Sequence, residues 1–272
     1  MAVSVKTFAT VPEAASALAS ERGARYIGGG TLVMRALNEC DLSFSTIVRV
    51  QDHSLSTVRA SGGRIAIGAG VTLAQILRER DLNFLHPVAR SIGGPAVRNM
   101  GTVGGNLFAP APFGDLAVAL LALDAVVSVQ GGYGAREIAI EEFLAGRDRA
   151  GGSVVIGVSL ERPSAEAFRY RKVSRVKPKG ASVISLAIHL PSMGGRVSGA
   201  RIAYGAMAPT AIRAKSAERA LEGRMLDEPG IAAAVAVAAE GTSPPTDAIA
   251  STWYRREVVG VHLRRLLLGQ EA

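Results

Sequence analysis

The 272-residue sequence predicts an α+β chain in three parts, and three observations carry that expectation. Strands alternate with helices over residues 1–55, the pattern of a small parallel βαβ unit. Residues 56–165 hold short apolar strands around glycine turns, with an apolar helical run between them. Residues 166–272 read as a three-stranded antiparallel sheet followed by helices.

In the first part, "VKTFAT" is extended and Pro12 opens a helix through "EAASALASER", a first-turn position that proline tolerates. Gly23 ends that helix, "ARYIGG" is a short strand, and Thr31 is positioned to cap a helix through "LVMRALNEC". "STIVRV" closes the unit. In the second part, Gly62-Gly63 joins two strands as a hairpin. Thr72 caps "LAQILRER", "PVARSI" is helical, and Asp115 starts "LAVALLALD", apolar on all sides and therefore buried. Asp115 also suits a helix N-cap. "AVVSVQ", "AREIAI" and "GSVVIGVSLER" are further strands, and "RPSAEA" (162–167) is the linker candidate. Beyond it come the strands "AFRYRKVSR", "ASVISLAIHL" and "RVSGARIAYGAMA". The helices "IRAKSAERALEG", "IAAAVAVAAEG" and "STWYRREVVGVHLRRLLL" finish the chain, the last with Val259, Leu263, Leu266 and Leu267 on one face.

Composition excludes several classes. Apolar residues make up 48% of the chain, yet no apolar run reaches the about 18 residues a membrane span needs. The N-terminus lacks a basic segment followed by an apolar one, so the expected location is the cytoplasm. One cysteine, Cys40, can neither form an internal disulfide nor hold an iron–sulfur cluster, which takes about four ligands. The four histidines show no metal-ligand spacing, so no metal site is expected. The net charge of +8 suits an anionic partner or a solvated basic surface. "RYRKVSRVKPK" (169–179) concentrates six basic residues and no acidic one.

Two glycine-rich stretches stand out: "YIGGGTLVM" (26–34) and "NMGTVGGNLF" (99–108). Each lies where a strand or turn meets a helix. There, backbone N–H groups lack partners and the helix dipole is positive. Glycine lets such a backbone approach a phosphate. Neither stretch is G-x-G-x-x-G, and neither ends in the Lys-Ser/Thr of a P-loop, which disfavours a Rossmann site and nucleotide hydrolysis. Two loops suit a diphosphate, each donating N–H groups to one phosphoryl.

These stretches, with "IAIGAGVTLAQI", "IGGPAVRNMGTVGGNLFAPAPFGDLAVALLALDA", "FRYRKVSR", "ARIAYGAMAPTAIRAKSAERALEG" and "STWYRREVVGVHLRRLLL", resemble the FAD-binding medium subunits of molybdenum hydroxylases, the carbon monoxide dehydrogenase and xanthine dehydrogenase family. The resemblance covers essentially the whole chain. It implies a PCMH-type FAD-binding fold divided as 1–55 (FAD-binding subdomain 1), 56–165 (FAD-binding subdomain 2) and 166–272 (C-terminal domain). By resemblance, the FAD pyrophosphate is cradled by Ile27, Gly28, Gly29, Gly30, Thr31, Leu32, Val33 and Met34 with Thr102, Gly104, Gly105 and Asn106. Asp115 meets the adenosine side, and Ile92 and Gly93 line the cofactor cleft. Val155 and Ile156 pack on the flavin, which Tyr170, Arg171 and Lys172 approach.

Two departures from the family's pattern matter. Leu32 stands where an Asp is frequent. Lys179 stands near a usually acidic position, and a positive charge facing the flavin there would raise its potential and favour an acceptor other than NAD. The resemblance implies electron transfer without a general base or nucleophile in this chain. A large partner carries molybdopterin, a small partner carries two 2Fe–2S clusters, and the whole forms a dimer of heterotrimers. Two rival readings exist. A stand-alone FAD-dependent oxidase of the same superfamily would need a larger substrate domain than the stretch after the linker provides. A basic nucleic-acid-binding protein would need a base-reading motif and more aromatics than are present.

Overall fold

The computed structural model describes residues 3–41, 43–147, 152–177 and 180–270. Along the chain these form β1 (Ser4–Phe8), α1 (Val11–Ser20), β2 (Ala24–Tyr26), α2 (Val33–Asn38), β3 (Thr46–Val50), β4 (Val58–Ser61), β5 (Arg64–Gly68) and α3 (Leu73–Ile76). Next come α4 (His86–Ser91), α5 (Pro95–Met100), α6 (Val103–Leu107), α7 (Asp115–Ala122), β6 (Val126–Gly131), β7 (Gly134–Ala139), α8 (Ile140–Gly146) and β8 (Val154–Glu161). The remainder holds β9 (Phe168–Ser174), β10 (Ser182–His189), β11 (Ser192–Met193), β12 (Arg196–Val197), β13 (Arg201–Gly205) and β14 (Ile212–Arg213). Helices α9 (Lys215–Leu221), α10 (Glu228–Ala236) and α11 (Thr252–Leu267) end it. Contacts divide the chain into two compact units, one of residues 1–83, 93–109 and 125–161, the other of residues 84–92, 110–124 and 162–272.

In the first unit, β1, β3 and β2 make a parallel three-stranded sheet in that order. α1 covers it with Val11, Ala14 and Ala15, which are buried with Val48, Leu55 and Val154. The two alanines have no side chain beyond Cβ, so the helix can lie close to the strands. A five-stranded antiparallel sheet follows, in the order β4-β5-β8-β6-β7. Its inner face is supplied with period two: Ile65 and Ile67 from β5, Val127 and Val129 from β6. Gly62 and Gly63 turn the β4–β5 hairpin with φ of 57° and 81°, values an L side chain rarely adopts.

Thr72 begins α3 as expected: its Oγ1 accepts from the Gln75 N–H at 3.1 Å, and Gln75 Oε1 accepts from the Thr72 N–H at 2.8 Å. Thr31 does not cap α2. That helix begins at Val33 with Leu32 before it and no side-chain cap. Three residues after Thr31 stands Met34, which cannot return the hydrogen bond that Gln75 returns to Thr72.

In the second unit, four antiparallel strands run in the order β14-β13-β10-β9. The three expected strands are present, and the two-residue β14 adds an edge. The expected strand around residue 200 is divided, because Arg196–Val197 pairs with Ser192–Met193 outside this sheet. On one face, Ile184, Leu186, Ile188, Ile202 and Tyr204 pack with α9, α10 and α11. α7 packs against β10 and β13. All eight α7 residues are buried, as its all-round apolar sequence requires. At one point of that packing the Cβ absent from Gly205 would lie 2.7 Å from Val118.

Buried Arg255 ties α11 to the strands. It donates to the carbonyls of Val183, Pro245 and Ala250 and pairs with Asp247 at 2.9 Å. The inner face of α11 is the expected Val259, Leu263, Leu266 and Leu267.

Candidate functional site

The first glycine loop leaves the sheet of the first unit at Ile27, whose N–H still donates to Val48 O at 2.9 Å. Gly30 turns the chain at φ 76°, and Met34 N–H reaches back to Gly30 O at 2.9 Å to start α2. Between those two bonds, among the described residues, the N–H groups of Gly28, Gly29, Gly30, Thr31, Leu32 and Val33 have no protein acceptor. Six consecutive backbone donors on this partly exposed loop have no protein acceptor, at a helix start where the helix dipole is positive.

The second loop is different. Val103 N–H donates to Val71 O at 2.9 Å, Gly104 N–H to Ala69 O at 2.8 Å, Gly105 N–H to Thr102 Oγ1 at 3.1 Å and Asn106 N–H to Thr102 O at 3.0 Å. The amides of Val103, Gly104, Gly105 and Asn106 are thus engaged within the protein. Val103 and Gly104 hold α6 on Val71 and Ala69, Gly105 and Asn106 close back on Thr102, and among the site residues of this loop only Thr102 keeps an N–H without a protein acceptor, among the described residues.

The loops meet within the first unit, and this explains the glycines. A Cβ on Gly29 would lie 2.5 Å from the Met100 carbonyl carbon and closer still to its oxygen; one on Gly28 would lie 2.9 Å from Thr102 Oγ1. One on Gly104 would lie 2.9 Å from Ala69 Cβ. The side chains are missing so that one loop can approach the other. Gly93 has φ 53°, and a Cβ on it would lie 2.7 Å from Val97 Cβ. Val155 is buried in β8, and Ile156 packs beside the α1 core. Ile156 O accepts from Ala69 N–H at 3.0 Å, which links β8 to the residue that holds Gly104.

Among the described residues no group of three or more His, Cys, Asp or Glu could hold a metal ion, and Cys40 is exposed. No described helix is long and apolar enough to cross a membrane.

The second unit contains the other expected residues. Asp115 is not the N-cap of α7. Gly114 takes that place at φ 93°, and Asp115 is in the first turn, where the helix dipole favours a carboxylate. Its Oδ1 accepts from Ser182 Oγ at 2.7 Å, and its Oδ2 from Lys172 Nζ at 2.8 Å. The two charged side chains are only 5% and 9% exposed. Lys172 also donates to Ser91 O at 3.0 Å, and the hydroxyls of Tyr170 and Ser91 are 3.1 Å apart. Burial first, then the Asp115 charge, pushes the Tyr170 phenol well above its ordinary range, so it stays protonated.

Arg171 alternates to the other side of β9, where it donates to Gln270 O. Ile92 follows the end of α4. Lys179 lies outside the described residues. Sequence reasoning missed Ser91 and Ser182. The one signal for Ser182 is a hydroxyl opening an otherwise apolar strand.

Residues 2–161 match the family described as "FAD binding domain in molybdopterin dehydrogenase", and residues 169–270 match "CO dehydrogenase flavoprotein C-terminal domain". The chain belongs to this family of FAD-binding medium subunits of molybdenum hydroxylases and is an oxidoreductase subunit.

Among its relatives are the glyceraldehyde dehydrogenase medium chain of Sulfolobus acidocaldarius, 28% identical over 93% of this chain and 92% of the relative, and the 6-hydroxypseudooxynicotine dehydrogenase complex subunit alpha of Paenarthrobacter nicotinovorans, 30% identical over 90% and 86%. Similar solved structures include quinoline 2-oxidoreductase from Pseudomonas putida 86, with TM-score 0.88 and 28% identity over 99% of this chain and 96% of that one. A Cu,Mo-CO dehydrogenase matches with TM-score 0.90 and 25% identity over 98% and 96%.

Proposed function

We propose that this chain holds FAD as the electron outlet of a heterotrimeric molybdenum hydroxylase, with the first glycine loop as its diphosphate clamp. The single observation that carries the reading is the run of six N–H groups from Gly28 to Val33 without protein acceptors, in a chain of an FAD-binding family. FAD, when bound, supplies the exchange between one-electron donors and a two-electron acceptor. The donors are 2Fe–2S clusters on a small partner chain, filled from molybdopterin on a large one, and the acceptor is external. A dimer of such heterotrimers in the cytoplasm completes the reading.

This chain's own residues bind and orient. The amides of residues 28–33 neutralise the diphosphate with fixed dipoles, needing no side-chain charge, which is why Leu32 is compatible with binding. Thr102 and the engaged amides of α6 hold the backing loop, so the clamp needs little ordering when its ligand arrives. Val155 and Ile156 are proposed as the apolar support of the flavin. Contacts of Ile92, Asp115, Tyr170, Arg171 and Lys172 with FAD are proposed from the family resemblance alone.

The test is purification of the native complex followed by acid release of the flavin. The expected result is one FAD per copy of this chain, together with two further chains carrying molybdenum and iron–sulfur centres. A colourless chain, or one that carries FMN without a diphosphate, refutes the reading.

A further inference from the structure

The second unit contains a cavity of 450 Å³ between the segment leading into α4, strand β9 and the end of α11. That volume is in the range of sites for small organic molecules. Phe84, Pro87, Phe168 and Tyr170 give it an apolar, largely aromatic wall, and Arg169 and Arg171 supply its charge. Only 5% of the chain is aromatic, so three such rings on one wall are a local concentration. The rings of Phe84 and Phe168 meet edge to face with centroids 6.1 Å apart, which fixes that part of the wall before any ligand arrives. Among the described residues no carboxylate lines the cavity.

The two arginines bring more charge than capping α11 requires. Arg169 Nη1 donates to Leu266 O at 3.1 Å and to Leu267 O at 2.8 Å, and Arg171 donates to Gln270 O. A helix C-terminus carries about half a negative elementary charge, so two guanidinium groups leave an excess of about one and a half positive charges. The bonds of Nη1 fix the plane of the Arg169 group, and among the described residues its Nε and Nη2 have no protein acceptor. That free edge has the fork geometry that grips an oxyanion with two parallel hydrogen bonds. His262, one turn before Leu266, responds to the same excess. Burial first, then Arg171 and Arg265, holds its pKa below the ordinary value, and no carboxylate offsets them.

We propose that this cavity binds a flat aromatic molecule bearing one oxyanion, a carboxylate or a phosphate ester. The Nε–Nη2 edge of Arg169 takes the oxyanion, Arg171 adds charge, and the ring packs against Phe84 and Phe168. The site does not depend on the flavin reading: no residue of the first unit lines it, nor do Asp115 and Lys172. Tyr170 and Arg171, which the resemblance brings toward FAD, do line it, so the test is made with FAD in place.

The experiment titrates the native FAD-containing complex, by calorimetry, with 2-naphthoate, 2-naphthyl phosphate, 2-naphthol and inorganic phosphate. The anionic ring compounds should bind once per copy of this chain, at least about tenfold more tightly than 2-naphthol or inorganic phosphate, without releasing flavin. The tighter of the two identifies the oxyanion. Arg169→Gln should weaken both by at least about tenfold and leave 2-naphthol unaffected. Because Arg169 also holds the end of α11, Pro87→Glu is the second variant. Pro87 is exposed in the first turn of α4, where a carboxylate is tolerated, and the new charge should repel both anions. Binding of 2-naphthol as tight as that of 2-naphthoate, release of FAD by the probes, affinity unchanged in both variants, or no binding in the millimolar range overturns the site. A chain without FAD that binds 2-naphthoate defeats the flavin reading alone, whereas an FAD-containing complex that ignores both anions defeats this site alone.

Discussion

Asp115→Asn removes one charge from the buried Asp115–Lys172 pair and changes almost nothing in shape. At the observed separation of 2.8 Å the attraction is about 6 kcal/mol at an effective dielectric of 20. Part of that is returned, because a neutral amide costs less to bury than a carboxylate and its oxygen can still accept from Lys172. Ser182 can turn its hydroxyl to accept from the new NH2 group. What remains is a buried ammonium held by an amide and by Ser91 O, a broken pair of the kind that costs about 3–5 kcal/mol.

In chemical denaturation the variant should therefore lose about 3–5 kcal/mol from the transition that reports the second unit. Adding Lys172→Met, which removes the stranded charge and keeps an unbranched chain, should recover more than half of the loss. The assay is a double-mutant cycle on urea midpoints, with the slope checked for constancy. A loss below about 1 kcal/mol, or a double variant no more stable than Asp115→Asn, would refute the claim that the pair is a dry, coupled ion pair.

Gly29→Ala should abolish flavin retention, because the new methyl collides with the Met100 carbonyl and drives the two loops apart; Gly62→Ala, at φ 57° with open space around it, should keep the flavin and lose only about 1 kcal/mol. Bound-flavin absorbance and a melting curve of each variant separate the two effects. Burial first, then Arg171 and Arg265, lowers the His262 pKa, so the ring is neutral in the folded state at pH 7. The unfolded chain takes up a proton near pH 6.5, so stability from this site is full above that pH and falls as pH drops toward the folded-state value. His262→Phe should flatten the melting temperature between pH 7 and 5, and an unchanged slope would count against this account.

Local chemistry made much of the molecule legible in the sequence. The T-x-x-Q of Thr72 and Gln75 announces a reciprocal cap, and Gly62-Gly63 a tight hairpin, because both depend on residues a few positions apart. The apolar run of α7 had to be buried, and the inner face of α11 could be read from its spacing. The Thr31 expectation failed for an equally local reason: a threonine without a partner three residues on has only half of the motif. The glycine loops were visible from composition.

Which glycine served what could not be read along the chain. Gly28 and Gly29 are small because Met100 and Thr102, some seventy residues later, come to rest against them. Gly104 is small because Ala69 does. The amides of α6 look as available as those of the first loop until the strand end at Ala69 and Val71 arrives to take two of them. Arg255, in the middle of a buried helix face, reads as a misplaced charge until Asp247 and three carbonyls surround it. Order along the polypeptide determined caps, turns and periodicity, since these follow from backbone conformation and neighbouring side chains. Only the assembled structure decided which donors stay unsatisfied and which charges are paired, because a hydrogen bond depends on the few ångströms between groups that the chain itself does not connect.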